Sequence, residues 1–411
     1  MTFKDLEKKF HTLINTIQQK GGHLIFVGGC VRDILRGIEP KDFDAEVYNL
    51  SSEDLLSALG EIDQVKTIGK KFGVFYLTDY KIEIALPRLE QKIAKGHKGF
   101  DIKTYPSLSF KEASIRRDLT INSMGWDPIE KKLLDPWNGQ RDLKNKVLRA
   151  TNLETFGEDP LRALRVAQFM ARFKMHPDAS LKNLCAAQDL SELSMDRLLG
   201  EFKKLLMMGI KPSYGLRFLK GTNLLSFFAD ICPTDSILEA LDEAALYDEK
   251  DFAFMLAILT VDASFIQVKL FFQIMNLPKE TQEVVYFLQS LTLCFFNRLK
   301  EGDEGYAYRE MAAYCYEHRY LPHKFLIFLK FTRKLEEGNL KADHYKVFDR
   351  KKIQPIIKGN HILKWRPETS PQEFSGILKE CHRLQLKENI SDELVIWDRW
   401  QENQNLNKEK R

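Results

Sequence analysis

The sequence predicts an α+β protein, with strands confined to the N-terminal part and helices filling the rest. Three observations carry this. Leu24-Ile25-Phe26-Val27 is a short apolar run ending at Gly28-Gly29, the pattern of a buried strand entering a turn. Residues 72–77 and 82–86 are two further strand-like runs around Thr78-Asp79-Tyr80. From Glu158-Asp159-Pro160-Leu161-Arg162 onward, apolar residues recur at helical spacing while glycine and proline thin out.

The chain has 411 residues, so more than one domain is expected. It is 44% hydrophobic and 29% charged, as a globular protein is. Lysine and arginine number 62 against 58 acids, a formal charge of +4, so any nucleic-acid surface must be a local patch. Six cysteines stand singly with no Cys-x-x-Cys pair, which argues against zinc and a disulfide framework and fits a reducing cytoplasm. No signal-peptide apolar region and no run of membrane-spanning length is present, so no membrane is expected as a partner.

Residues 1–20 read as one amphipathic helix, with Phe3, Leu6, Phe10, Leu13 and Ile17 on one stripe and Gly21-Gly22 ending it. After the strand at Leu24, the glycines Gly28 and Gly29 allow a close backbone approach, and exposed N–H groups there suit phosphate. Arg32 follows on a short helix. Asp42-Phe43-Asp44 is extended, so the two carboxylates share a face with Phe43 buried behind them. Two like charges so close are costly unless a cation sits between them, which points to Mg²⁺ carrying a nucleoside triphosphate. No G-x-G-x-x-G is present, which excludes a dinucleotide fold.

Residues 52–60 form a short helix capped by Ser51 or Ser52. Glu83, between Ile82 and Ile84, either faces Asp42 and Asp44 as a third carboxylate or stands in solvent. Residues 87–110 are rich in glycine and lysine without a period and read as a mobile loop, with Arg88 and Glu90 at its base and His97 solvated. Arg116 and Arg117, followed by Asp118 and Asn122, suit a triphosphate and a ribose hydroxyl; by its residues alone the segment reads first as a surface salt-bridge cluster. Asp135-Pro136-Trp137-Asn138-Gly139 is a turn.

Asp159 is placed as an N-cap with Pro160 at the first helical position, and Arg162 and Arg165 share a helix face. Arg197 and Glu201 lie four apart on a later helix. Phenylalanines and leucines of residues 235–330 read as core, and the polar end, NQNLNKEKR, as frayed.

Taken together, GGCVRD (28–33), KDFD (41–44), RRDLTIN (116–122), DPWNG (135–139), EDPLRALR (158–165) and RLLGEFKKLL (197–206) resemble the bacterial tRNA nucleotidyltransferases, the class II CCA-adding enzymes and their poly(A) polymerase relatives. Residues 357–388 resemble the C-terminal tail of many of them. The resemblance implies a head with a five-stranded mixed sheet over residues 1–150. A helical neck (151–217), body (218–330) and tRNA-binding tail (331–411) would follow. It implies that Asp42 and Asp44 hold Mg²⁺, that Gly29, Arg32 and Arg117 bind the nucleotide, and that Asp159 and Arg162 read the base with Arg165 beside them. Arg88-x-Glu90 is similar to the lever region that CC-only enzymes lack. The implied activity is addition of C, C and A to tRNA from CTP and ATP, with poly(A) synthesis or partial CC or A addition as alternatives; no obligate protein partner is implied. Two positions depart from the pattern. Gln168 stands where the neck helix usually has another arginine. Val261 stands where relatives with a phosphohydrolase module have a histidine, which argues against phosphatase activity.

Overall fold

The computed structural model describes residues 1–67, 73–92, 100–302, 304–332 and 353–409. His97 and the loop centre around it lie outside the described residues. The chain packs as two compact units, Met1–Cys232 with Phe265–Asn276, and Pro233–Ser264 with Leu277–Arg411.

The first unit opens with two helices rather than the single one expected, α1 (Phe3–Lys9) and α2 (His11–Gln19). The chain turns at Phe10, whose φ is −108° and ψ 19°. That turn lets its fully buried ring pack on Phe26 at 5.4 Å and Phe43 at 5.1 Å. Then come β1 (His23–Val27), α3 (Gly29–Leu35), β2 (Phe43–Tyr48) and α4 (Ser52–Gly60). Ser51 caps α4 by accepting from the Asp54 N–H. Strands β3 (Val65–Thr67), β4 (Val74–Leu77), β5 (Ile82–Ala85), β6 (Arg88–Lys92) and β7 (Phe100–Thr104) follow, then α5 (Phe110–Ser114), β8 (Gly125–Asp127), β9 (Lys132–Leu134) and α6 (Gly139–Asn145).

The sheet is mixed, as expected, but has seven strands in the order β3-β4-β5-β2-β1-β8-β9. Among the described strands of this sheet, only β2 and β5 pair in parallel. The five came from the resemblance; β3, β8 and β9 are three residues each, short strands that alternation alone does not reveal. Residues 87–110 are likewise not all loop: β6 and β7 form an antiparallel hairpin with Arg88 opposite Thr104. Its glycine and lysine content hid the strands.

Alternation on the central strands decides what faces what. Leu24, Phe26, Phe43, Ala45 and Val47 join the main core under α1, α2 and α4. Ile25, Val27 and Tyr48 face the other side, with Ala113 of α5. Asp44 shares that second face.

Helices α7 (Leu161–Phe173), α8 (Ala179–Ala186), α9 (Met195–Met208) and α10 (Pro212–Gly221) complete the unit, with Phe265–Ile274 packing Phe271 against Phe202 of α9 at 5.8 Å. The second unit is helical throughout its described residues, and Phe254, Phe295, Phe325 and Phe328 are fully buried in it, so these aromatics are core. The polar end expected to fray continues as a helix, Glu393–Glu409, anchored by buried Trp397 and Trp400 against Trp365. Among the described residues, no helix is long and apolar enough to cross a membrane.

Candidate active site

A cleft of ≈ 680 Å³ in the first unit is lined by Gly28, Gly29, Arg32, Asp42, Asp44, Arg117, Asp118, Asn122, Asp159, Arg162 and Arg165. Of the residues assigned above to the metal, nucleotide or base, Glu83 and Arg116 are outside the lining. The size suits a small polyanion rather than a protein segment.

Gly28 leaves β1 with φ 71° and donates its N–H to the Met124 carbonyl at 3.1 Å. The left-handed backbone favours glycine, and so does space: a Cβ there would meet Arg117 Nη1 at 2.8 Å. Arg32 is 4% exposed, donates to Asp33 at 2.9 Å and to the Asn122 side-chain oxygen, and lies over Phe173 at 4.8 Å. It is held rigidly at the floor rather than projecting freely.

Asp42 and Asp44 flank buried Phe43, as alternation requires. Neither has an ion-pair partner among the described residues. Glu83 is exposed on β5, in register with Asp44 on β2, although it does not line the cleft. Burial first, then the charges of Glu83 and Asp42, push the Asp44 carboxyl up to about 6 against the pull of Arg117 and Arg32. This is a site whose own acids repel one another, and it fits a hard divalent cation. Among the described residues, no three acidic, histidine or cysteine side chains converge as a ready metal cage, so phosphate and water oxygens would complete the coordination.

The segment after α5 is organised by a residue that sequence reading missed. Glu46, 1% exposed on β2, accepts from Arg116 Nη2 and Arg117 Nη2, each at 2.9 Å, and from the Tyr48 hydroxyl at 2.8 Å. Burial opposes its ionisation, but the two guanidiniums hold it below the usual carboxylate range. The period-two spacing 42, 44, 46 was the available signal.

Asp118 accepts from Asn122 Nδ2 at 3.0 Å and from Arg165 Nε at 2.7 Å. Burial pushes its pKa up, yet Arg165, Asn122 and Arg162 win and hold the carboxyl down to about 2. A depressed carboxylate contributes stability above its unfolded pKa and loses it as pH falls toward the folded value. Asp118→Asn is therefore expected to cost about 2 kcal/mol at neutral pH. Urea unfolding should show the gap from wild type narrowing as pH is lowered from about 5 to about 3; a gap constant over that range would rule the linkage out.

Helix α7 differs from expectation at its start. It begins at Leu161, Pro160 is the flanking residue, and no side chain caps it in the N-cap manner. Asp159 instead accepts from the Leu161 N–H at 3.2 Å and from Arg197 Nη2 at 2.7 Å. Arg197 thus serves Asp159 rather than Glu201, which lies 2.8 Å from Lys204 and 3.6 Å from Arg165. Arg162 donates to the carbonyls of Thr155 at 3.0 Å and Arg116 at 2.7 Å, so Asp159 and Arg162 border the cleft without pairing. Gln168, 2% exposed, lines the cleft too, as do Arg172, Arg197 and Lys204. Arg172 lies seven residues beyond Arg165, a helical spacing that could have flagged it. In all, seven cationic side chains face four acids, so the cleft favours an anion.

The fold and this site define a mixed-sheet unit with an acid pair in a cationic cleft, followed by helices. Residues 24–149 match the family model described as the poly A polymerase head domain. A CCA-adding enzyme of Coxiella burnetii is 40% identical over 185 residues, 44% of this chain and 47% of that protein. The multifunctional CCA protein of Vibrio vulnificus is 39% identical over 188 residues, 44% of each. The chain thus spans about half the length of the curated relatives it matches. Over nearly its whole length it has the fold of the Bacillus stearothermophilus CCA-adding enzyme solved with CTP, at TM-score 0.73 and 18% identity, covering 98% of this chain and 99% of that one. The Thermotoga maritima CCA-adding enzyme solved with tRNA gives TM-score 0.70 and 20% identity, covering 97% and 95%. Over its N-terminal part the chain is similar in sequence to CCA-adding enzymes, and over nearly its whole length it shares their fold, in agreement with the resemblance read from its motifs.

Proposed function

We propose that this chain adds C, C and A to the 3′ end of tRNA from CTP and ATP without a nucleic-acid template, releasing pyrophosphate. The observation that carries the reading is that Asp42 and Asp44, unpaired and mutually repelling, share one cationic cleft with Asp159 and Arg162. The names of the matched relatives support CCA addition over poly(A) synthesis.

In this reading Asp42 and Asp44 hold Mg²⁺, with Glu83 reinforcing the negative field at Asp44. Bound there, Mg²⁺ would neutralise phosphate charge and ease ionisation of the attacking hydroxyl. Gly28 and Gly29 let the phosphates approach the backbone. Arg32 and Arg117 supply positive charge beside them, and Asp118 with Asn122 suits the ribose hydroxyls. Asp159 accepts the exocyclic amine that cytosine and adenine share. Arg162 and Arg165 complete the wall on the base side. The 3′-hydroxyl attacks the α-phosphate, and pyrophosphate leaves.

The proposed division of labour is a catalytic head (1–150), a base-reading neck (151–217), a body (218–330) and a tRNA-binding tail (331–411), working in the cytoplasm without an obligate protein partner. Six unpaired cysteines are consistent with that compartment. Because the net charge is only +4, tRNA must be held by a local set of phosphate contacts. Its affinity is expected to fall on the order of 10³-fold between about 50 and 200 mM salt if six or more phosphates are neutralised. Filter binding across that range checks this, and a flat profile would refute backbone recognition.

The deciding experiment supplies tRNAs ending before CCA, after C and after CC, each with CTP, ATP or both. Three, two and one additions respectively, stopping at the terminal A, support the reading. Unlimited A addition, or a halt after CC, overturns it.

A further inference from the structure

Asp44, Glu46 and Tyr48 of β2 continue the period-two spacing of Asp42 just before it, and the acids are treated differently. The first two are left for a cation. Glu46 is saturated: both arginines on Oε1, the Tyr48 hydroxyl on Oε2, and almost no exposure. A buried ionic cluster of this kind is a poor way to gain stability, since apolar packing of equal volume does as well. Its geometry suggests another use. Arg117 stands between two carboxylates. It contacts Glu46 at 2.9 Å and makes no ion pair with Asp44, although its charge already reaches Asp44. Its other terminal nitrogen, Nη1, bonds the Asn122 carbonyl at 3.4 Å and lies where a Gly28 side chain would be.

We propose that Glu46 is a positioning residue that parks Arg117 beside the Gly28 turn, facing the nucleotide phosphates, and keeps it off Asp44. This rests on the reading of the cleft as a triphosphate site. Without the Glu46 charge, the acid next within reach of Arg117 is Asp44. A guanidinium that swings there loses the phosphates and neutralises a carboxylate meant for the metal.

The test uses the full chain as E46Q, with CTP and CMP binding followed by calorimetry and Mn²⁺ binding by electron paramagnetic resonance without nucleotide. CTP affinity should fall about tenfold, the size of one charge-assisted hydrogen bond. CMP, with one phosphate instead of three, should lose less, so the CTP-to-CMP ratio falls, and Mn²⁺ should bind more weakly. A merely structural glutamate would lower stability without moving the CTP-to-CMP ratio or Mn²⁺ affinity, and that result overturns the proposal. If E46Q does not fold, E46D keeps the charge while withdrawing it by one methylene, and the same ratio decides. Should wild type bind CTP no better than CMP, the triphosphate reading itself fails; Mn²⁺ affinity of the variant still decides for Glu46, weakened supporting it and unchanged refuting it.

Discussion

Replacing Asp42 and Asp44 together by alanine should leave a folded protein that transfers no nucleotide, a loss of at least about 10³-fold. Folding survives because neither side chain holds the core; Phe43 between them does. Indeed Asp44 works against the fold. Its carboxyl ionises at about 6 instead of 3.8, so the folded state binds a proton more tightly than the unfolded chain. Stability contributed by this group is therefore greatest below its unfolded pKa and declines as pH rises through the folded value. Asp44→Asn, measured without metal at neutral pH, should melt at or above the wild-type temperature. That advantage should vanish below about pH 4, where both states are protonated. The combination is the signature: a site kept at a cost to stability because chemistry needs it. Incorporation of labelled CTP and ATP by the double variant at near wild-type rate would sink the assignment.

Asp159→Asn should change which base is accepted. A carboxylate only accepts hydrogen bonds, and cytosine and adenine both offer an exocyclic amine; uracil and guanine put a carbonyl at that place. Asp159 keeps spare acceptor capacity, because Arg197 occupies one oxygen and the Leu161 N–H the other, each with a single bond. Arg197 also holds the group in place. An acceptor facing a carbonyl in a partly dry cleft costs a few kcal/mol, on the order of 100-fold or more in selectivity. The asparagine can donate as well as accept, so UTP or GTP incorporation should appear while CTP and ATP use falls. The alternative, that Asp159 only ties down the first turn of α7, is worth about 1 kcal/mol. Unchanged selectivity at near normal rate would leave that as its whole role.

What was legible in the sequence was what is written locally. The strand at Leu24, the Asp42-Phe43-Asp44 alternation and the helix of residues 52–60 each follow from neighbours within a turn or a pleat. The hairpin of β6 and β7 was not legible, since its residues carry neither period. The break at Phe10 depends on rings from β1 and β2, which no helical wheel contains. The same holds within the cleft. The acid pair and the glycines announce themselves, but Glu46 with Arg116 and Arg117, about seventy residues away in sequence, does not. Nor does Asp159 with Arg197, where the near neighbour Glu201 offered a more obvious but unused partner.

The grip of α7 on the head has a mechanical consequence. Arg162 bonds the Arg116 carbonyl and Arg165 bonds the Asp118 side chain, so one short stretch of the head is clamped at both ends by successive turns of the same helix. That stretch also carries Arg117. The span between the residues assigned to the base and those assigned to the phosphates is thereby set like the jaws of a locked calliper. A purine is longer than a pyrimidine, so a site that takes both CTP and ATP, as proposed, would have to present either α-phosphate at one point. With the jaws held at this span, the extra ring would be absorbed by side chains along the wall, Gln168 and Arg172 among them.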